Sequence, residues 1–156
     1  MRFNRLTLKR SDGQVYLDRW GIESKRIGGI FLHRMTAPDP GVDLHTHPWV
    51  FCSLILRGGY DEERTSTRLA QGTAKWALDA LPTVLRRGHL TIRNPWRVRY
   101  LGLNECHRIT HLHDKTSWSL VVHGPWRQQW GFWTPNGFVD EESYSAERRD
   151  MIGMRG

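Results

Sequence analysis

Apolar residues along this chain fall in short, β-rich runs set apart by turn residues at fairly regular intervals. The runs predict strands over Val15–Trp20, Gly29–Met35, Val50–Arg57, Leu90–Arg93, Arg97–Leu101, His107–His111 and Trp118–His123. The breaks between them, Ser11-Asp12-Gly13, Ala37-Pro38-Asp39-Pro40-Gly41, Gly58-Gly59 and Asn94-Pro95, are all turn formers. Many short strands punctuated in this way predict an all-β sandwich or barrel. Residues 64–87 are ambiguous: Lys75–Leu81 reads as a helical turn or as a strand edge, and Pro82 ends either one. The tail Asp140–Arg149 predicts a short surface helix, acidic early and basic late, as the helix dipole favours. No repeat, low-complexity tract or linker interrupts the pattern, so residues 1–156 read as a single domain.

Composition adds little to the fold but narrows the partners. A chain of 156 residues can bury a core without covalent staples, and 38% apolar with 11% aromatic residues is a globular composition. Eight tryptophans are spread throughout, suited to core filling or to the mouth of a barrel. Cys52 and Cys106 make no disulfide framework, and a reducing cytosol is the simpler setting. No run approaches a membrane span, and the basic start Met1–Arg5 is not followed by an apolar signal segment, so a cytoplasmic protein is expected. The net charge of +7 favours acidic partners. Because Lys and Arg are scattered rather than blocked, a small anionic molecule is expected ahead of nucleic acid.

Candidate chemistry concentrates in Gly41-Val-Asp-Leu-His45-Thr-His47-Pro-Trp-Val-Phe-Cys52-Ser-Leu-Ile-Leu-Arg-Gly58-Gly59. Two histidines at i and i+2 on a strand point to one face, so their imidazoles can reach one metal ion. A proline–glycine turn precedes the pair, and an apolar strand and a glycine turn follow it.

This stretch resembles the first motif of the cupins, in which His-x-His is followed by four residues, a Glu, six residues and a Gly. The spacing fits throughout, but Cys52 stands at the Glu position. The same exchange is found in the thiol dioxygenases of the cysteine dioxygenase type, which bind ferrous iron through three histidines. The resemblance implies a cupin barrel (a double-stranded β-helix, or jelly roll) with a short C-terminal extension. It also implies a third ligand from the second motif. His107 is the candidate there, with His111 and His113 sharing its parity if the strand stays regular. His33 and His89 are expected to be ordinary strand or surface residues. Together with His45-Thr-His47-Pro48-Trp49, the stretch Trp130-Gly-Phe-Trp133-Thr resembles a group of small bacterial and phage cupins.

Three imidazoles on one face of an ion leave up to three positions open, enough for substrate and dioxygen together. Such a site keeps its full 2+ charge and favours anionic or thiolate substrates. Fe(II) is the first expectation, and Ni, Zn or Mn suit the same ligands. Cys52 is expected beside the metal, as a ligand, a crosslinking thiol or a space filler, and Cys106 is expected to point away. His123 is placed by the resemblance near the position of a tyrosine that neighbours the metal, where it would orient substrate or move a proton. Arg127, among the tryptophans of Gly124–Phe138, or Arg57 would neutralise an anionic substrate. The functions weighed are a mononuclear iron oxygenase, a non-catalytic ligand-binding cupin, and a metal-dependent isomerase or lyase without redox chemistry. A homodimer formed by exchange of Phe3–Leu8 is a further expectation, by analogy.

Overall fold

A computed structural model describes residues 1–10, 12–66, 89–134 and 136–144. Its strands in chain order are β1 (Arg2–Lys9), β2 (Val15–Ser24), β3 (Gly28–Met35), β4 (Leu44–His45), β5 (Phe51–Arg57) and β6 (Tyr60–Ser66). They continue with β7 (His89–Arg93), β8 (Val98–Leu101), β9 (Glu105–Leu112), β10 (Ser117–His123), β11 (Gly131–Thr134) and β12 (Gly137–Asp140). Two six-stranded sheets result, in the orders β1-β2-β3-β10-β5-β8 and β12-β11-β4-β9-β6-β7. Their pairings are antiparallel. The fold is all-β, as the sequence pattern predicted, and a jelly-roll barrel, as the motif resemblance implied.

Each strand predicted from an apolar run is present, with its ends moved by a few residues. β1, β4, β6, β11 and β12 add to them. Arg2–Lys9 pairs along its length with β2 of the same chain. Lys75–Leu81 lies outside the described residues. In the tail, residues 141–144 are helical, and the Asp140 carboxylate caps them by accepting the Ser143 N–H at 3.0 Å. Residues 145–149 of the expected helix lie outside the description.

The chain changes sheets between β5 and β6 through Gly58 and Gly59, whose φ values are 78° and 145°. Both angles favour glycine, and a Cβ on Gly58 would stand 2.3 Å from the Thr116 carbonyl oxygen. The turn therefore brings β6 across to the second sheet beside β9.

Inside the barrel, period-two alternation builds three layers. Phe31, Trp49, Phe51, Leu101 and Val121 form one apolar cluster, and Met35, Ile55, Tyr60 and Ile109 form another. On several inward faces, the residue next to these clusters is polar. His33 lies between Phe31 and Met35, Ser53 between Phe51 and Ile55, and Arg99, Ser119, Glu62 and His107 each stand two residues from a cluster member. Arg99, Ser53, Ser119, Glu62 and His107 are all buried. A polar belt thus runs between the two apolar clusters, and it borders a cavity of about 780 Å³.

Candidate metal centre

β4 is two residues long and lies between β11 and β9, where His45 pairs with Phe132 on one side and His107 on the other. That pairing sets His45 against His107, with ring centroids 4.5 Å apart. His47 lies just past the strand. Its segment is pinned by Thr46, whose N–H donates to the Gly131 carbonyl at 2.9 Å. Gln128 adds a second tie, donating from Nε2 to the carbonyls of His47 (2.7 Å) and Leu103 (2.9 Å). As a result the ligand atoms of His45, His47 and His107 all lie within 4.8 Å of one another, a cluster able to hold a metal ion.

The chemistry of the cluster fits a cation. Nε2 of His47 and Nε2 of His107 stand 2.8 Å apart. Two nitrogens bound about 2.1 Å from one ion at a right angle stand about 3 Å apart. Burial holds both imidazoles well below their usual pKa, and each is held down further by neighbouring histidine and by Arg99. His45 is lowered as well, first by burial, against an opposing pull from Asp39. Neutral imidazole is the form that offers a lone pair to a metal.

A carboxylate lies at the other nitrogen of His107. Glu62, with no exposure, places Oε1 2.6 Å from His107 Nδ1 and 2.8 Å from Arg99 Nη2. Its Oε2 accepts from Arg93 Nε at 3.0 Å. Arg99 in turn donates from Nη1 to the Tyr60 hydroxyl at 2.8 Å. Arg99 Nη2 also stands 3.2 Å from His107 Nδ1, but the carboxylate at 2.6 Å favours the tautomer with its proton on Nδ1, which leaves the Nε2 lone pair to the cluster. Carboxylate–histidine pairs orient metal-binding imidazoles in this way and raise their basicity. Burial lowers the Arg99 pKa, but Tyr60 and Glu62 more than offset this, so its charge is kept.

The other predicted residues are placed elsewhere. Cys52 is exposed, since Phe51 and Ser53 are the inward residues of β5 and Cys52 alternates with them. It is therefore not beside the three imidazoles, and the carboxylate near them, Glu62 on the next strand, touches only the Nδ1 side of His107. Cys106 is buried with its thiol toward the Thr65 carbonyl, and burial pushes its pKa up to about 12. His111 is exposed. A register shift opposite Asp61 and Glu62 inserts Thr110, which breaks the parity that would have aligned His111 with His107.

Arg127 is exposed and does not line the cavity; its backbone N–H holds the Pro48 carbonyl at 2.7 Å. Arg57 is likewise exposed and outside the lining. His123 is buried behind the cavity wall, stacked on Phe31 at 4.8 Å and near Trp49 at 4.3 Å, with Nδ1 bonded to the Gly124 carbonyl. Conversely His33, expected to be ordinary, lines the cavity, and so do Arg19, Arg99 and Tyr60.

No protein-family model matches the sequence, and no curated protein is significantly similar to it. Solved structures do share the architecture. A cupin-2 domain protein from Rhodospirillum rubrum aligns with TM-score 0.51 and 10% identity over 94% of this chain and 82% of its own. The fold is that of a cupin. An Fe(II) structure of HppE aligns with TM-score 0.53 and 9% identity, covering 77% of this chain and 56% of that one. The capsular polysaccharide assembling protein CapF from Staphylococcus aureus aligns at 0.50 and 8%, over 81% of this chain and 32% of its own. This chain therefore spans about half of HppE and a third of CapF.

In this cupin fold the His-x-His segment brings two imidazoles to the cluster and β9 brings the third. The barrel has twelve described strands and, among the described residues, no helix long and apolar enough to cross a membrane.

Proposed function

We propose that the protein is a mononuclear metal-dependent enzyme of the non-haem iron oxygenase type, acting on a small anionic substrate. The observation that carries this reading is the convergence of His45, His47 and His107, without a carboxylate in the cluster, on a cavity of about 780 Å³. That volume suits a small-molecule ligand. Bound there, a divalent iron would supply open positions for substrate and dioxygen. The chain itself supplies the rest: the Glu62 carboxylate beside His107 Nδ1 favours the tautomer that leaves Nε2 to the metal, and apolar clusters flank the polar belt. The Fe(II) protein HppE has the same fold, which makes iron chemistry in such a barrel reasonable. A thiol substrate no longer draws support from Cys52, which faces outward, so an anionic substrate is preferred.

The test is the metal content of the purified protein by plasma mass spectrometry, beside a His45→Ala, His47→Ala double variant. Near-stoichiometric iron that disappears in the variant, with dioxygen uptake abolished by chelation, is the expected result. Stoichiometric zinc with no oxygen uptake would replace redox chemistry by Lewis-acid chemistry. No metal, even after anaerobic reconstitution with Fe(II), would leave a ligand-binding barrel.

A further inference from the structure

We infer that Arg19 and His33 form an oxyanion-binding subsite on the cavity wall opposite the three imidazoles, built for a carboxylate or phosphonate group of a small molecule.

The register places these residues side by side. Arg19 of β2 pairs with His33 of β3, and His33 pairs with Ser119 of β10. All three line the cavity that also holds His45, His47 and His107. The neighbouring inward positions on the same strands are apolar, Leu17 and Met35 on one side and Phe31 and Val121 on the other. A guanidinium and an imidazole are costly choices in such a wall unless something uses them.

Most of the other arginines near the cavity are paired: Arg99 and Arg93 hold Glu62, Arg64 holds Glu105, and Arg108 holds Glu63. Arg10, which also lines the cavity, has no carboxylate partner among the described residues but donates from Nη2 to the Pro38 carbonyl at 2.7 Å. Arg19 has no such carboxylate within ion-pair distance among the described residues, and its buried Nε has no acceptor. Glu23 is near enough to be felt, but burial dominates and lowers the Arg19 pKa. Its guanidinium lies over the Phe31 ring at 4.3 Å, which holds the plane in position while leaving its donors unspent. His33 is similar: its Nε2 is buried with no partner. Burial first, then Arg19 and Arg99, hold its pKa down at about 3, so it stays neutral and can donate one hydrogen bond. A planar guanidinium with an adjacent N–H donor matches the geometry of an oxyanion and discriminates against a neutral amide.

As a substrate subsite this rests on the metal-centre reading, because it places one end of a molecule on Arg19 and the other toward the imidazoles. As an anion site it stands alone, and the test exploits that. Metal-free protein at low salt is titrated calorimetrically with succinate, with methylphosphonate and with neutral succinamide. One-to-one saturable binding of an oxyanion probe, none of succinamide, and at least about tenfold weakening in Arg19→Met are expected, as for loss of a charged hydrogen bond. Arg127→Met, on the outer surface, should leave the affinity unchanged. Whichever oxyanion binds tighter identifies the group. Saturating probe should also move the ring ¹⁵N resonances of His33, which keeps the test available if Arg19→Met fails to fold. Absence of saturable binding, an unmoved His33, or binding that survives Arg19→Met would overturn the subsite. A chain that takes up metal but no anion loses only the subsite; one that binds anion but no metal loses only the metal centre.

Discussion

The carboxylate of Glu62 and the imidazole of His107 meet at 2.6 Å, Oε1 to Nδ1, at a point where Glu62 has no exposure. The contact does two things at once. It favours the His107 tautomer whose Nε2 lone pair is left to the cluster with His45 and His47, and it gives the buried guanidinium of Arg99 its counter-charge.

Glu62→Gln keeps the shape but removes the charge. Loss of such a partner ordinarily costs about 10–100-fold in metal affinity. It also leaves Arg99 in the interior without a carboxylate, a change on the order of 3–5 kcal/mol. Chelator competition and urea unfolding of the variant should therefore both respond. Unchanged metal affinity in a stable variant would mean that His107 is oriented by packing alone.

Gln128 and Arg127 are neighbours with opposite expectations. The Gln128 amide ties the His47 carbonyl to that of Leu103, whereas the Arg127 side chain is exposed. Gln128→Ala should weaken metal retention several-fold, on the scale of a lost outer contact to a ligand residue. Arg127→Ala should leave it unchanged, because only its backbone N–H is used. Equal losses in the two variants would show that the Trp-rich segment acts as a whole and not through this amide.

The fold was legible because apolar runs and turn residues alternate from Val15 to Arg57 and again from Leu90 to His123. The cluster was legible in part, because His45-Thr-His47 is local and spacing carries it. β6 was missed for a physical reason: Tyr60-Asp-Glu-Glu-Arg-Thr-Ser is polar along its length, and only Tyr60 marks its inward face. Glu62 lies on that strand, so the residue that orients His107 was missed with it. The signal available was the alternation of Tyr60 and Glu62 after the Gly58-Gly59 turn. His33 was passed over because a lone histidine between Phe31 and Met35 gives no local sign of facing a cavity. Cys52 shows the converse failure: motif spacing placed it at the metal, but the parity of β5 turns it outward.

The two cysteines should separate cleanly by reactivity. Cys52 is exposed, while Cys106 is buried and its thiol is pushed up to about 12, away from thiolate. A thiol reagent on the folded protein should modify one cysteine, identified as Cys52 by peptide mapping, and both after unfolding. Metal content should be the same before and after modification, and in Cys52→Ser. Metal loss on alkylation would return Cys52 to the centre.

Acidification should weaken the metal-free fold, and the direction follows from the buried imidazoles. His33 is held at about 3, against about 6.5 for an exposed histidine. Above pH 6.5 it is neutral whether folded or unfolded, and the stability tied to this difference is fully present. As pH falls from 6.5 toward 3, the unfolded chain takes up the proton and the folded one does not, so that stability is lost. At pH 5 the loss from His33 alone is about 2 kcal/mol. His45, His47, His107 and His123 are shifted in the same direction, by burial first, and add to it. Urea unfolding of chelated protein at pH 7 and pH 5 should show the drop, and His33→Gln should show a smaller one. Stability that holds or rises at pH 5 would mean that these imidazoles are charged in the folded state, and a cluster of three charged imidazoles is not a metal site.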